Sequence, residues 1–220
     1  MLNSYGIIKV NLIINYSIKL KDSIKPKNYK DKNMFVTSKA TIESSNVPLA
    51  LRGLSLRAED EIEVKLRTLL KVFSKGHYYE GPFPNSGPIP PKVGEDTTST
   101  LIWQVTNSLN DVAGVKIEAP LPRYVDFEKF YSNQDGLAYN ADTHSVAWDI
   151  GALSSAIGSV FPVETAAFQI SFTPLQEMRG REVELLGQTK ISGTDTFTEE
   201  FVEYLAPAVD TSLPDDIGIR

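Results

Sequence analysis

The feature that most constrains this chain is its rhythm. Over its second half, short runs of alternating apolar and polar residues follow one another, separated by turn-forming residues. Leu101, Trp103 and Val105 alternate with Ile102, Gln104 and Thr106. Val115, Ile117, Ala119 and Leu121 alternate with Lys116 and Glu118, and Val146, Trp148 and Ile150 with Ala147 and Asp149. Phe168, Ile170 and Phe172 alternate with Gln169 and Ser171; Val183, Leu185, Ile191 and Phe201 to Leu205 continue the series. A period of two is that of a strand with one face in a core. Between the runs lie Asn107-Ser108-Leu109-Asn110-Asp111 and Asn140-Ala141-Asp142-Thr143-His144, whose side chains can mimic backbone turns. Short alternating strands with frequent turn signals predict an all-β sandwich. The 14 glycines and 13 prolines suit such a turn-rich chain.

Upstream the pattern is less uniform. Across Glu61–Lys75, Ile62, Val64, Leu66, Thr68, Leu70 and Val72 alternate with charged residues, which favours one strand. Ile62, Leu66, Leu69 and Phe73 also fit a helical stripe with Gly76 as its stop. The segment Gly81-Pro82-Phe83-Pro84-Asn85-Ser86-Gly87-Pro88-Ile89-Pro90-Pro91 holds too many prolines for a sheet interior and reads as an extended surface loop. Phe35 to Ile42 is a weaker strand, followed by turn-like Glu43 to Asn46 and Pro48, and Gly6–Ile18 is a further candidate without an obvious partner.

Pro91-x-Val93-Gly94, the Thr-rich run closing on Thr106-Asn107, the stretch Val115 through Leu121-Pro122, and Trp148-Asp149-Ile150-Gly151-Ala152-Leu153 occur in an order that resembles the conserved-repeat domain of bacterial surface and cell-wall proteins. The likeness covers about Glu61–Leu205; the long Pro-rich loop before Gly94 departs from it. The resemblance implies an immunoglobulin-like Greek-key β-sandwich, occurring in tandem and without enzymatic activity. A faint echo fits a tandem array: Lys39-Ala-Thr-Ile42-Glu-Ser-Ser-Asn46 precedes Gln188-Thr-Lys-Ile191-Ser-Gly-Thr-Asp195 by about one domain length. On this reading residues 1–57 form a basic N-terminal segment, whose residues 35–57 are remnant strands of a preceding copy and whose residues 1–33 stand outside the core. Residues 58–207 form the sandwich, and residues 208–220 an acidic tail or linker.

Charge is divided unevenly. Eight lysines against three acidic residues give the first fifty positions a net of +5, while the whole chain carries −6. An acidic body argues against nucleic acid, whose phosphates need a basic face. No run approaches the roughly 18–20 apolar residues of a membrane span. Gly6–Ile14, interrupted by Lys9 and Asn11 and followed by no small-residue cleavage site, is a poor signal peptide. With no cysteine there is neither a disulfide framework nor a thiolate metal site.

No constellation for catalysis is legible. His77 and His144 lie far apart and show no ligand spacing; His144 sits in a turn where exposure is expected, His77 at a strand end. Ser154 and Ser155 lie between Gly151 and Gly158 without the spacing of a nucleophile elbow or any base. Glu59-Asp60-Glu61, Glu199-Glu200 and Asp215-Asp216 read as solvated edges or turns. Asp135, Asp142 and Asp195 are possible calcium donors, but no EF-hand-like loop accompanies them. Among aromatics, Trp103 and Trp148 share phase with core aliphatics, whereas Tyr78, Tyr79 and Phe83 flank a loop. Tyr124, Phe127, Phe130, Tyr131 and Tyr139 complete the candidates for a stacking platform.

The expectation is therefore a non-catalytic structural or assembly module of a bacterial cell-surface or exported protein, one unit of a tandem array. The alternative is a carbohydrate- or protein-binding, adhesin-like sandwich. No catalytic, cofactor or metal residues are assigned. The expected partners are neighbouring repeats or further copies of the chain, with a glycan or surface protein as the alternative, at the cell surface or outside the cell.

Overall fold

A computed structural model describes residues 13, 15–19, 24–43, 57–131 and 135–219. The sequence features at 6–12 and 44–56 lie outside the described residues. Among the described residues, thirteen strands make up almost all the regular structure, and no helix is long and apolar enough to cross a membrane.

The core lies between two antiparallel sheets. One is built from β3 (Leu70–His77), β4 (Thr97–Asn107), β6 (Val125–Phe130) and β9 (Glu164–Phe172), in the order β3-β4-β9-β6. The other is built from β5 (Val112–Pro120), β7 (Leu137–Asn140), β8 (Ser145–Leu153), β11 (Thr189–Asp195) and β12 (Phe201–Ala206), in the order β12-β11-β5-β8-β7. Consecutive strands thus repeatedly change sheet, giving an immunoglobulin-like sandwich. A short pair, β10 (Glu184–Leu186) with β13 (Val209–Asp210), closes one side.

The expected alternation explains the inner faces. Leu101, Trp103 and Val105 of β4 are fully buried, and so are Val115, Ile117 and Ala119 of β5. Trp103 meets Phe168 edge-on with ring centroids 5.1 Å apart, and Trp148 is buried in the same core. On β5 the inward residues Val112 and Val115 are three apart, out of step with a period of two. The register shifts between Ala113 and Val115, where Gly114 has φ +62°, so a bulge absorbs the extra residue and both valines face inward. β9 is buried on both faces over most of its length. Its outer side is covered by the Pro-rich segment, since Gln169 donates to the Pro84 carbonyl (3.1 Å) and to Asn85 Oδ1 (2.8 Å).

The stretch Glu61–Lys75 does not form the single strand, or the helix, that its pattern offers. It divides into the end of β2 (Arg57–Lys65) and the start of β3, with Leu66–Leu69 between them. β2 pairs antiparallel with β1 (Phe35–Glu43) over nine residues, making a hairpin apart from both sheets. Every residue of β2 is exposed, Ile62 at 61% and Val64 at 58%, so its apolar alternation finds no core. Gly76 is not a helix stop: a Cβ there would come within 2.5 Å of Leu213 and 2.8 Å of Val209. Gly76 is the flat place on β3 where the C-terminal segment lies down.

That segment departs from the expected acidic tail. Val209, Leu213 and Asp216 are buried, and β13 belongs to the closing pair. The apolar side chains at 209 and 213 are few, but both face β3, and their burial outweighs the solvation that the local acidic charge would favour. At the other terminus, residues 24–34 lie against the end of the sandwich. Pro26 is buried, the Asn33 amide donates to Asn110 Oδ1 (3.0 Å), and Lys32 Nζ pairs with Asp111 at 2.8 Å.

Candidate functional site

Two groups of buried polar side chains lie at opposite ends of the β3–β4 pair. Leu70 pairs with Asn107 at one end and His77 with Thr100 at the other. Seven residue steps along β3 separate them, about 24 Å at the rise of an antiparallel strand.

At the first end stands Asp195, the last residue of β11, with no exposed surface. Its Oδ2 accepts from the Thr68 amide and from Asn110 Nδ2, both at 2.8 Å. Its Oδ1 accepts from the amides of Phe197 (2.9 Å) and Thr198 (3.1 Å). Four donors occupy the roughly four lone-pair sites of a carboxylate. Burial alone would raise the Asp195 pKa; the bonds from Asn110, Thr68, Thr198 and Phe197 outweigh it and hold the group below its ordinary value. The neighbours are equally committed. Thr68 Oγ1 donates to Asn107 Oδ1 (2.7 Å) and accepts from the Leu109 amide (3.0 Å). Asn107 Nδ2 donates to the carbonyls of Asn110 (2.7 Å) and Ser154 (2.9 Å), and Asn110 Nδ2 also reaches the Leu66 carbonyl (2.8 Å). Beside this group, Asp111 accepts from Lys32 and from the Ser155 amide (2.8 Å). Burial pushes its pKa up, but these bonds and the lysine charge leave it lowered.

At the second end stands Asp216, also without exposed surface. Its Oδ2 accepts from the amides of Tyr78 and Tyr79 (2.8 Å to Tyr79), and its Oδ1 from the Gly218 amide (3.2 Å). Its pKa too is lowered: burial would raise it, while the amides of Tyr79, Tyr78 and Gly218 and the nearby His77 prevail. Asn85 Nδ2 ties the same strand end to the Pro-rich segment by donating to the Tyr78 carbonyl and to Thr100 Oγ1, each at 2.9 Å. Gly218 presses on Tyr79 so closely that a Cβ at 218 would run into its ring. His77 is 7% exposed, and its Nδ1 is buried without a hydrogen-bond partner, 3.8 Å from Glu80 Oε2.

Other candidate residues are scattered. His144 is half-buried rather than exposed. Its Nε2 lies 3.1 Å from the Pro122 carbonyl and 3.0 Å from that of Val125, so Nε2 carries the proton it donates to them. Nδ1 then accepts from the Tyr139 hydroxyl at 2.7 Å. The ring fastens the β7–β8 turn to the β5–β6 connection. Asp135 and Asp142 lie exposed on turns, away from the saturated Asp195, so these three do not assemble. Glu59-Asp60-Glu61 is exposed on the hairpin and Glu199-Glu200 on a turn, whereas Asp216 is buried instead of lying on a solvated edge.

The aromatics divide likewise. Phe127 stacks on Tyr139 (4.7 Å, 12°) and leans on Phe130, packed against the core with Tyr124. Tyr78 is not a free platform residue, since its hydroxyl donates to the Gly87 carbonyl at 2.6 Å and its ring packs on the core. Tyr79 and Tyr131 are each 59% exposed. Phe83 meets Tyr131 edge-on (5.5 Å, 86°), a geometry that turns the two faces away from a common plane.

No family model and no curated protein matches this chain. Among solved structures, 80% of it aligns with 60% of the full-length major pilin SpaD from Corynebacterium diphtheriae, at 9% identity and a TM-score of 0.41. The same share aligns with 55% of the major pilin subunit BcpA of Bacillus cereus, at 10% identity and a TM-score of 0.35. In a third alignment, 62% of the chain matches 17% of an inactive exo-β-N-acetylglucosaminidase mutant from Vibrio harveyi, at 8% identity and a TM-score of 0.32. The chain thus matches 60% or less of the length of each of these proteins. At such identities and scores, the fold assignment stands on the strand pairing itself.

In the sequence alone Asp195 reads as a calcium donor, and Asn107 and Asn110 read as turn residues. A signal did exist: Asn107 closes an apolar strand with Asn110 three residues later, where exposed turn residues would need no burial.

Proposed function

We propose that this chain is a non-catalytic structural or assembly module of a bacterial cell-surface or exported protein, one unit of a tandem array. The observation that carries this reading is the use made of buried polar groups. Asp195 joins β11 to Thr68, 127 residues away in sequence, and Asp216 joins the C-terminal segment to Tyr78, 138 residues away. Side chains of the kind an enzyme would expose to substrate are here turned inward to hold backbone amides. The residues behind the conserved-repeat resemblance also have structural work that supports it. Gly94 takes φ +76° before β4, Gly151 takes φ +74° in β8, and Asn107 is the buried hub of the first polar end. The β1–β2 hairpin, two strands with both outer edges unpaired by the sandwich, offers hydrogen-bonding edges to a neighbouring repeat or copy.

Hydrolase assays and a glycan array on the purified chain test the reading, and no turnover and no saturable binding are expected. Saturable glycan binding that is lost on Tyr79→Ala with Phe83→Ala, while the melting curve is unchanged, would replace it with the carbohydrate-binding alternative.

A further inference from the structure

We propose that His77 Nδ1, a Glu80 carboxylate oxygen and an Asp216 carboxylate oxygen form a binding site for a divalent transition metal of the Zn²⁺ type, which latches the C-terminal segment to the end of β3. Ligand atoms of the three residues lie within 4.8 Å of one another. The second, independent observation is the His77 Nδ1 itself. It is buried, it lacks a hydrogen-bond partner, and Glu80 Oε2 at 3.8 Å stands beyond hydrogen-bonding range. Leaving such an atom unsatisfied costs about 1–3 kcal/mol in a folded protein, a cost that a bond to a metal ion would relieve.

The chemistry of the donor set selects the ion. One imidazole and two carboxylates suit Zn²⁺ and its first-row neighbours. Ca²⁺ asks for six to eight oxygens, which these residues do not supply. Asp216 has capacity left: three backbone amides occupy three of its roughly four lone-pair sites. In a tetrahedral site with bonds of about 2.0 Å, ligand atoms stand about 3.3 Å apart. Of the three side chains Glu80, 44% exposed and 3.8 Å from His77 Nδ1, is the one with freedom to move toward that spacing. The same opening to solvent leaves a fourth position for water. His77 and Asp216 are already fixed, one by strand pairing with Thr100 and the other by its three amides.

The test is a calorimetric titration of the full chain, stripped with a chelator, with ZnCl₂, alongside thermal melts with and without the metal. One saturable site and a raised Tm are expected. Glu80→Gln is expected to weaken binding at least tenfold while leaving the metal-free Tm nearly unchanged, because the substitution keeps the shape of an exposed side chain. His77→Gln is expected to abolish binding, and His144→Gln to leave it intact. If His77→Gln fails to fold, the Glu80→Gln titration still decides. No heat and no Tm shift up to millimolar Zn²⁺, or equal binding by wild type and Glu80→Gln, would overturn the site and leave the three residues a metal-free ionic cluster.

Discussion

The two polar ends of the β3–β4 pair are built from the same part, a fully buried aspartate that accepts backbone amides, yet they are finished differently. Asp195 receives four donors and every neighbouring amide group has a partner. Asp216 receives three and sits beside an imidazole nitrogen that has none. The first end is a closed network, which rigidifies because each member is satisfied. The second end keeps an open valence. A buried carboxylate can therefore serve purely to fasten chain or can fasten it conditionally, and the count of donors separates the two cases.

Breaking the closed end should have the larger effect. Asp195→Ala strands the amides of Thr68, Phe197 and Thr198 and the side chain of Asn110. With about 1–3 kcal/mol for each buried unsatisfied group, partly relieved by water, the expected loss is about 4 kcal/mol. A urea titration with unchanged m-value and a lowered midpoint measures it. Asp216→Ala releases three amides, one donor fewer than at Asp195, beside an already exposed Tyr79 that water can reach, so about 2 kcal/mol is expected. Equal losses at the two sites would erase the distinction drawn between them.

The strands that carry the two polar ends could be foreseen, but neither end itself could. The alternation of β4, β5, β8 and β9 is legible because each strand turns one face to a core, and Trp103 and Trp148 are buried in phase with it. The break at Leu66–Leu69 is not legible: the alternation runs through it, and what ends β2 is a set of bonds to Asn110 and Asp195 from remote positions. The C-terminal segment hides for another reason. Its charge invites a solvated reading, while its burial depends on Gly76 having no side chain, 133 residues before Val209 and 137 before Leu213. His144 is likewise half-buried by Tyr139 and by two carbonyls that only the fold brings near.

Acid sharpens the comparison. Asp195 and Asp216 have folded-state pKa values below their ordinary ones. Their contribution is thus fully present above the unfolded value of about 3.9 and is lost as pH falls through the folded values. Stability should decline below about pH 4, with a slope that flattens in Asp195→Ala and in Asp216→Ala. Urea midpoints from pH 6 down to pH 2 give the slopes. A variant whose midpoint falls as steeply as that of wild type would show that its aspartate is not held ionised by the fold.

The hairpin supplies the smallest expected effect and the outer limit of the comparison. Lys39 Nζ meets Glu59 at 2.7 Å across β1 and β2, but both side chains are well exposed. An ion pair in that setting gains little Coulomb energy over water, gives up side-chain freedom and is screened by salt; measured values run about 0.2–1 kcal/mol. The strands that carry it bury no core residue on β2, so there is no cavity for a substitution to open. Glu59→Gln should therefore change stability by less than about 0.5 kcal/mol, and by less still in 0.5 M salt. Thermal melts at low and high ionic strength test this. A loss above about 1 kcal/mol would mean that the hairpin unfolds as one with the sandwich, and would rank it with the two polar ends instead of outside them.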